Sequence, residues 1–133
     1  MSNKGFTLIE LIMVIVIVGI LAVIAVPKIF SMTEDAKTSS REAVSANVLA
    51  GVTLYGVHEM ATNGIEAYPT KLDNVTNETN CSKSNPCFSN ALKDPVNDSL
   101  WRKINDLHYD YNPGPAVTHY EYNSIDGTFY IIP

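Results

Sequence analysis

Residues 11–26 read LIMVIVIVGILAVIAV, sixteen positions without a charge or a hydroxyl. No other feature constrains the chain as strongly. A bilayer span needs about 20 apolar residues, so this run is at the short end. Residues 6–10 extend it to twenty-one, or roughly 31 Å at about 1.5 Å per residue. That length crosses the hydrocarbon core, with Glu10 near its edge. A charge in such a segment costs about 2.5–3.5 kcal/mol even on the lenient insertion scale. The segment holds no Lys, Arg or His to offset it, and the nearest upstream cation is Lys4. A cut after Gly5 would supply a second one, the new α-amino group of Phe6. That group lies four residues before Glu10 and, on a helix, on the same face.

An ordinary secretory signal is the alternative. It pairs an apolar region of about 7–15 residues with a small-x-small cleavage site. Ala22 and Ala25 are small, but more helix-like sequence follows them, the positive region is a single Lys, and a disposable signal has no use for Glu10.

The residues KGFTLIE, the apolar run behind them and Pro27 resemble the class III signal of type IV pilins and type II secretion pseudopilins. The resemblance covers about the first thirty residues. It implies a leader at residues 1–5, removed by a prepilin peptidase between Gly5 and Phe6, and N-methylation of Phe6. It implies that Glu10 pairs with the N-terminal amine of a neighbouring subunit. Gly19 and Pro27 stand where that family has a glycine and a helix-kinking proline. The implied partners are further copies of the chain in a helical homopolymer, the prepilin peptidase, the inner-membrane assembly platform and the inner membrane itself before assembly. The implied location is the bacterial inner membrane for the precursor, then an extracellular filament at the cell surface.

At 133 residues the chain is one domain's worth. A long N-terminal helix leaves a small head whose core is marginal alone. The formal net charge of −5 argues against a nucleic-acid binder, which is usually basic, and no direct nucleic-acid partner is expected.

Pro27 removes a hydrogen bond to the carbonyl of Val23 and predicts a kink. The helix then divides into an apolar half, residues 6–27, and an amphipathic half, residues 28–64. Ala36, Ala43, Val44, Val48, Leu49, Val52 and Tyr55 recur at three- and four-residue spacing and predict one core face. Asn63-Gly64 predicts the stop. Two separate helices broken at Pro27 are the alternative. Tyr55, Asn63-Gly64, Tyr68-Pro69 and Leu72 again resemble pilins and pseudopilins, a weaker signature that extends the likeness to about residue 72.

Residues 65–100 read as a polar connecting loop with a short helical turn near residues 89–93. Export implies an oxidising compartment, so Cys81 and Cys87, the only cysteines, are expected to form a disulfide. Closing that loop is worth about 2.4 kcal/mol in the chain-entropy model. A metal site would need two further ligands. Residues 101–133 read as sheet. Period-two alternation marks strands at residues 107–112, 117–123 and 128–132, and residues 101–107 fit either a short helix or a strand. Tyr109, Tyr111, Tyr120 and Tyr122 are placed on one inward face. The expected fold is α+β: a long kinked N-terminal α-helix packed on a small three- to four-stranded antiparallel sheet, the type IV pilin fold.

Candidate chemistry is sparse. His108 and Asp110 share one strand face, as do His119 and Glu121, so adjacent strands can assemble an imidazole–carboxylate group. A solvated outer face explains the same pattern. Asp126-Gly127 reads as a hairpin turn in preference to a calcium loop. Asn74, Asn77, Asn80 and Asn97 each begin an Asn-x-Ser/Thr triplet. No nucleophile–base set or phosphate loop is present, so no catalytic residue, metal site or cofactor is expected and the chain does not read as an enzyme. The functional expectation is a structural pilus subunit, a major pilin. A type II secretion pseudopilin of a periplasmic pseudopilus is the first alternative, and a membrane-anchored periplasmic enzyme or sensor is the second.

Overall fold

The computed structural model describes residues 5–133. Lys4 and the rest of the expected leader before Gly5 lie outside the described residues. The chain divides into a unit ending at Thr38 and a second unit, Ser39–Pro133.

One helix, α1 (Leu8–Asn63), accounts for all the regular structure before the sheet among the described residues. It continues through Pro27, so the two-helix alternative is set aside. In the first unit every described side chain up to Ala36 is exposed. The helix is long and apolar enough to cross a membrane. It stops where the sequence indicates. Gly64 takes the left-handed conformation at φ +72°, and its N–H donates to the Met60 carbonyl at 3.1 Å, the arrangement of an αL cap.

The second unit holds a five-stranded antiparallel sheet in chain order. Its strands are β1 (Thr79–Asn80), β2 (Trp101–Lys103), β3 (His108–Tyr111), β4 (Thr118–Asn123) and β5 (Thr128–Ile132). The α+β class stands, and three of the strands are those read from alternation. The sheet exceeds the expected three to four strands because β1 and β2 are two and three residues long, too short for a periodicity. Register defines β1, through Thr79 opposite Lys103 and Asn80 opposite Arg102.

The four tyrosines do share the inner face. Tyr109, Tyr111, Tyr120 and Tyr122 are buried with Trp101, Phe88 and Phe129 in one cluster that also takes in Val48, Val52 and Leu72. Rings meet at 4.5 Å for Phe88–Tyr109, 5.1 Å for Trp101–Tyr120 and 5.0 Å for Tyr120–Phe129, within the range where aromatic pairs add to area burial. The helix contributes a narrower stripe than its pattern indicates. Val48, Val52 and Gly56 are buried, whereas Ala36, Ala43, Leu49 and Tyr55 are exposed. Glycines let the backbone approach closely. A Cβ on Gly56 would lie 2.7 Å from the Tyr68 ring, and one on Gly51 only 1.8 Å from the Ala91 carbonyl oxygen.

Candidate assembly site

The helix N-terminus is built by Thr7 and Glu10. Oε2 of Glu10 accepts from the Thr7 N–H and from the Thr7 hydroxyl, both at 2.8 Å, and the Glu10 N–H donates back to Thr7 Oγ1 at 3.3 Å. This is a capping box, which satisfies donors that a helix start leaves unpaired. The signal was legible as Thr7-x-x-Glu10, and the sequence reading passed over Thr7. The cap also changes one geometric expectation. The helix begins at Leu8, so Phe6 precedes it and does not share a helical face with Glu10. Phe6 is 89% exposed and Gly5 beside it is exposed as well. A Cβ on Gly19 would meet no atom within 4 Å.

In the second unit, the helix side turned away from the core carries no charge from Ser39 to Ala61. Ala43, Ala46, Ala50, Thr53, Leu54, Val57 and Ala61 follow one another there, all exposed, with Leu54 at 70% and Val57 at 60%. A helix face that normally meets water carries charged residues.

The connection after the helix is pinned at two places. Cys81 and Cys87 form the expected disulfide, and Cys87 pairs through its backbone with Val96 at 2.8 and 3.0 Å. The second pin was missed by the sequence reading. Asp73 and Lys103 are both fully or almost fully buried, with Lys103 Nζ 3.0 Å from Asp73 Oδ1 and 2.9 Å from Asp106 Oδ1. Asp73 Oδ2 also accepts from the Phe88 N–H and the Tyr109 hydroxyl, both at 2.9 Å, and Oδ1 accepts from the Val75 N–H at 3.1 Å. Phe88 sits at φ +63°, where bulky residues rarely go, and its bond to Asp73 holds it there. Burial works to lower the Lys103 pKa, but the hydrogen bonds to Asp106 and Asp73 prevail and keep it above its ordinary value. The Lys103 hydrogen bond holds the Asp106 carboxyl below the usual carboxylate range. Period-two placement of Lys103 beside Trp101 was the available signal. Its partner thirty residues away was not.

On the outer sheet face, register sets His108 opposite Glu121 and Asp110 opposite His119, so the four residues come together as the alternation indicates. His119 Nδ1 lies 2.7 Å from Asp110 Oδ1, and His108 Nε2 lies 3.9 Å from Glu121 Oε2. They form two cross-strand pairs, and no group of three metal-ligating side chains converges among the described residues. Asp126 Oδ1 accepts from the Thr128 N–H at 3.0 Å and its hydroxyl at 2.6 Å, closing the β4–β5 turn with Gly127 at φ +71°. Asn74, Asn77, Asn80 and Asn97 are exposed.

Residues 1–26 match the prokaryotic N-terminal methylation motif. The chain is 43% identical over 65 residues to the type IV narrow pilus major component PilA5 of Thermus thermophilus, a match covering 49% of this chain and 53% of that protein. It is 35% identical over 74 residues to type II secretion system core protein G of Pseudomonas aeruginosa, covering 53% of this chain and 52% of that one. The chain thus spans about half the length of the curated relatives it matches. No solved structure matches it. The chain thus carries the methylation motif at its start, and about half of it is similar to a type IV pilus component and to a type II secretion system core protein.

Proposed function

We propose that the chain is the major structural subunit of a type IV pilus. The observation that carries this reading is the uncovered apolar surface of α1. Contiguous exposed apolar area beyond a few hundred Å² marks an interaction or membrane surface, and here it runs through residues 6–32. The uncharged outer side from Ser39 to Ala61 supports the same role, because in a filament that side is buried by neighbouring copies.

In this reading the apolar half-helix holds the precursor in the inner membrane, and a prepilin peptidase cuts between Gly5 and Phe6. Phe6 is methylated, and the assembly platform adds the subunit to a helical homopolymer that leaves the cell. Thr7 satisfies Glu10 until the Phe6 amine of a neighbour arrives. Burying that pair offsets the desolvation of both charges, whereas a misplaced subunit strands one of them, so the pair sets register more than it adds net stability. Gly19 and Pro27 leave the packed helix a point where it bends or partly unwinds.

N-terminal sequencing of shed filaments tests the reading: it is expected to begin at methylated Phe6, and a retained Met1 or a start beyond Ala25 refutes it. Glu10→Ala is expected to insert and be processed normally while filament growth stops or slows, and normal filaments would remove the pairing role. The likeness to core protein G supports a pseudopilin as the second reading. Loss of protein secretion with surface filaments intact, in a strain lacking this chain, would decide for it.

A further inference from the structure

The buried Asp73–Lys103 contact does more than a salt bridge requires. Two charged side chains with almost no exposure carry a desolvation cost that a neutral link would abolish. An ammonium and a carboxylate in contact hold all the atoms of an amide plus one water. We propose that Lys103 and Asp73 condense into a side-chain amide, an internal cross-link between the connecting loop and β2.

Each reacting atom has a partner suited to the step. Asp106, exposed at the turn after β2, has Oδ1 2.9 Å from Lys103 Nζ and acts as the proton carrier. The two carboxylates hold Lys103 as an ammonium, so the step runs through the minor neutral form: Asp106 takes one ammonium proton and delivers it to Asp73 Oδ1, and a neutral amine then faces a neutral carboxyl. The Nζ lone pair then attacks Cγ. The C–N bond forms, and the electron pair of the C=O bond moves onto Oδ2. That oxygen already accepts from the Phe88 N–H and the Tyr109 hydroxyl, each at 2.9 Å, two donors set where negative charge develops. Asp106 next carries a second proton from nitrogen to Oδ1, the Cγ–Oδ1 bond breaks, and water leaves. The third proton stays as the amide N–H. Nothing is oxidised or reduced, and Asp106 ends as it began. Fixed contact within a packed core supplies the proximity that converts an unfavourable encounter in water into a unimolecular step. The Val75 N–H on Oδ1, at 3.1 Å, holds the leaving oxygen in place.

The test is a tryptic digest of the full chain, purified in detergent and reduced to open the disulfide. Acylated Lys103 resists trypsin. The expected product is therefore residues 72–83 joined to residues 103–133, lighter than the two peptides by one water. Recovery of unlinked 72–83 with free 104–133 overturns the proposal, as does a water loss confined to one linear peptide. Lys103→Arg retains a cation without an acylable amine and is expected to give only unlinked peptides. If that variant fails to fold, the digest of the natural chain decides alone. Asp106→Asn is expected to leave the pair unlinked in a folded head, and a full yield of link in that variant overturns the proton-carrier assignment.

Discussion

Gly51 offers a direct test of how closely the helix seats on the connecting loop. Replacing it with Ala improves helix propensity by about 1 kcal/mol. The added Cβ, however, would sit 1.8 Å from the Ala91 carbonyl oxygen and 2.7 Å from its carbon. The Cβ position is fixed by the helix backbone and the atoms it meets are backbone, so no side-chain rotation relieves it. The loop is also held: Ala91 and Leu92 donate to the Phe88 carbonyl at 3.0 and 2.8 Å, and Asn90 donates to the Leu72 carbonyl at 2.9 Å. Overpacking costs about 1–3 kcal/mol, and a Cβ against fixed backbone belongs at the upper end. Setting about 3 against the gain of about 1 leaves a net loss near 2 kcal/mol, or about 10 °C in Tm for a head of this size. A near-ultraviolet circular dichroism melt of the full chain in detergent reads it through Trp101 and the buried tyrosines. Gly19→Ala is the control, because its new methyl meets nothing within 4 Å, and its melt is expected not to fall. A Gly51→Ala variant melting at or above the natural chain would refute the close approach.

Breaking the disulfide with Cys81→Ser and Cys87→Ser together is expected to cost about 2.4 kcal/mol, read as a lower Tm of the head with N-terminal processing unaltered. Burial, with the nearby charges of Tyr55, Tyr68 and Asp126, pushes Tyr122 up to about 12. Burial and then the Asp73 charge raise Tyr109 as well. A folded pKa above the unfolded value of about 10 stabilises the head fully below pH 10, and that contribution is lost as pH rises through 12. Alkaline unfolding is therefore expected to steepen above pH 10, and Tyr122→Phe is expected to flatten it. A Tyr122→Phe head with the same alkaline slope would contradict this. Phe88→Gly relieves the left-handed strain but removes a ring from the core, and a loss of about 3–5 kcal/mol is expected for the ring, measured by urea unfolding.

The parts of the fold that the sequence revealed are those with a local cause. The Gly64 stop needs only a residue free to take positive φ. The inward tyrosines follow from a side-chain period of two along β3 and β4. What stayed hidden depends on distant partners. β1 exists because its two residues meet β2, and nothing in Thr79-Asn80 itself indicates this. The helix face was drawn too wide, since Leu49 and Tyr55 are as apolar as Val48 and Val52. Which of them turn inward is decided by the packing of the helix on the aromatic cluster and the connecting loop. Asp73 and Lys103 were unreadable because charged residues rarely enter a core unless paired, and thirty positions separate this pair.

The ring closed by Cys81 and Cys87 has a temporal consequence. Cys81 follows directly on β1, donates to the Trp101 carbonyl at 2.8 Å and accepts from the Ser99 N–H at 3.0 Å. Until its sulfur is oxidised, this edge strand has its backbone bonds and the neighbouring Glu78–Arg102 ion pair but no covalent tie. On the proposed function, the sheet margin of a newly made copy is finished only after arrival where thiols are oxidised. Delay in that oxidation would leave a raw strand edge open to pairing with other chains, which makes thiol chemistry a checkpoint on the supply of usable subunits.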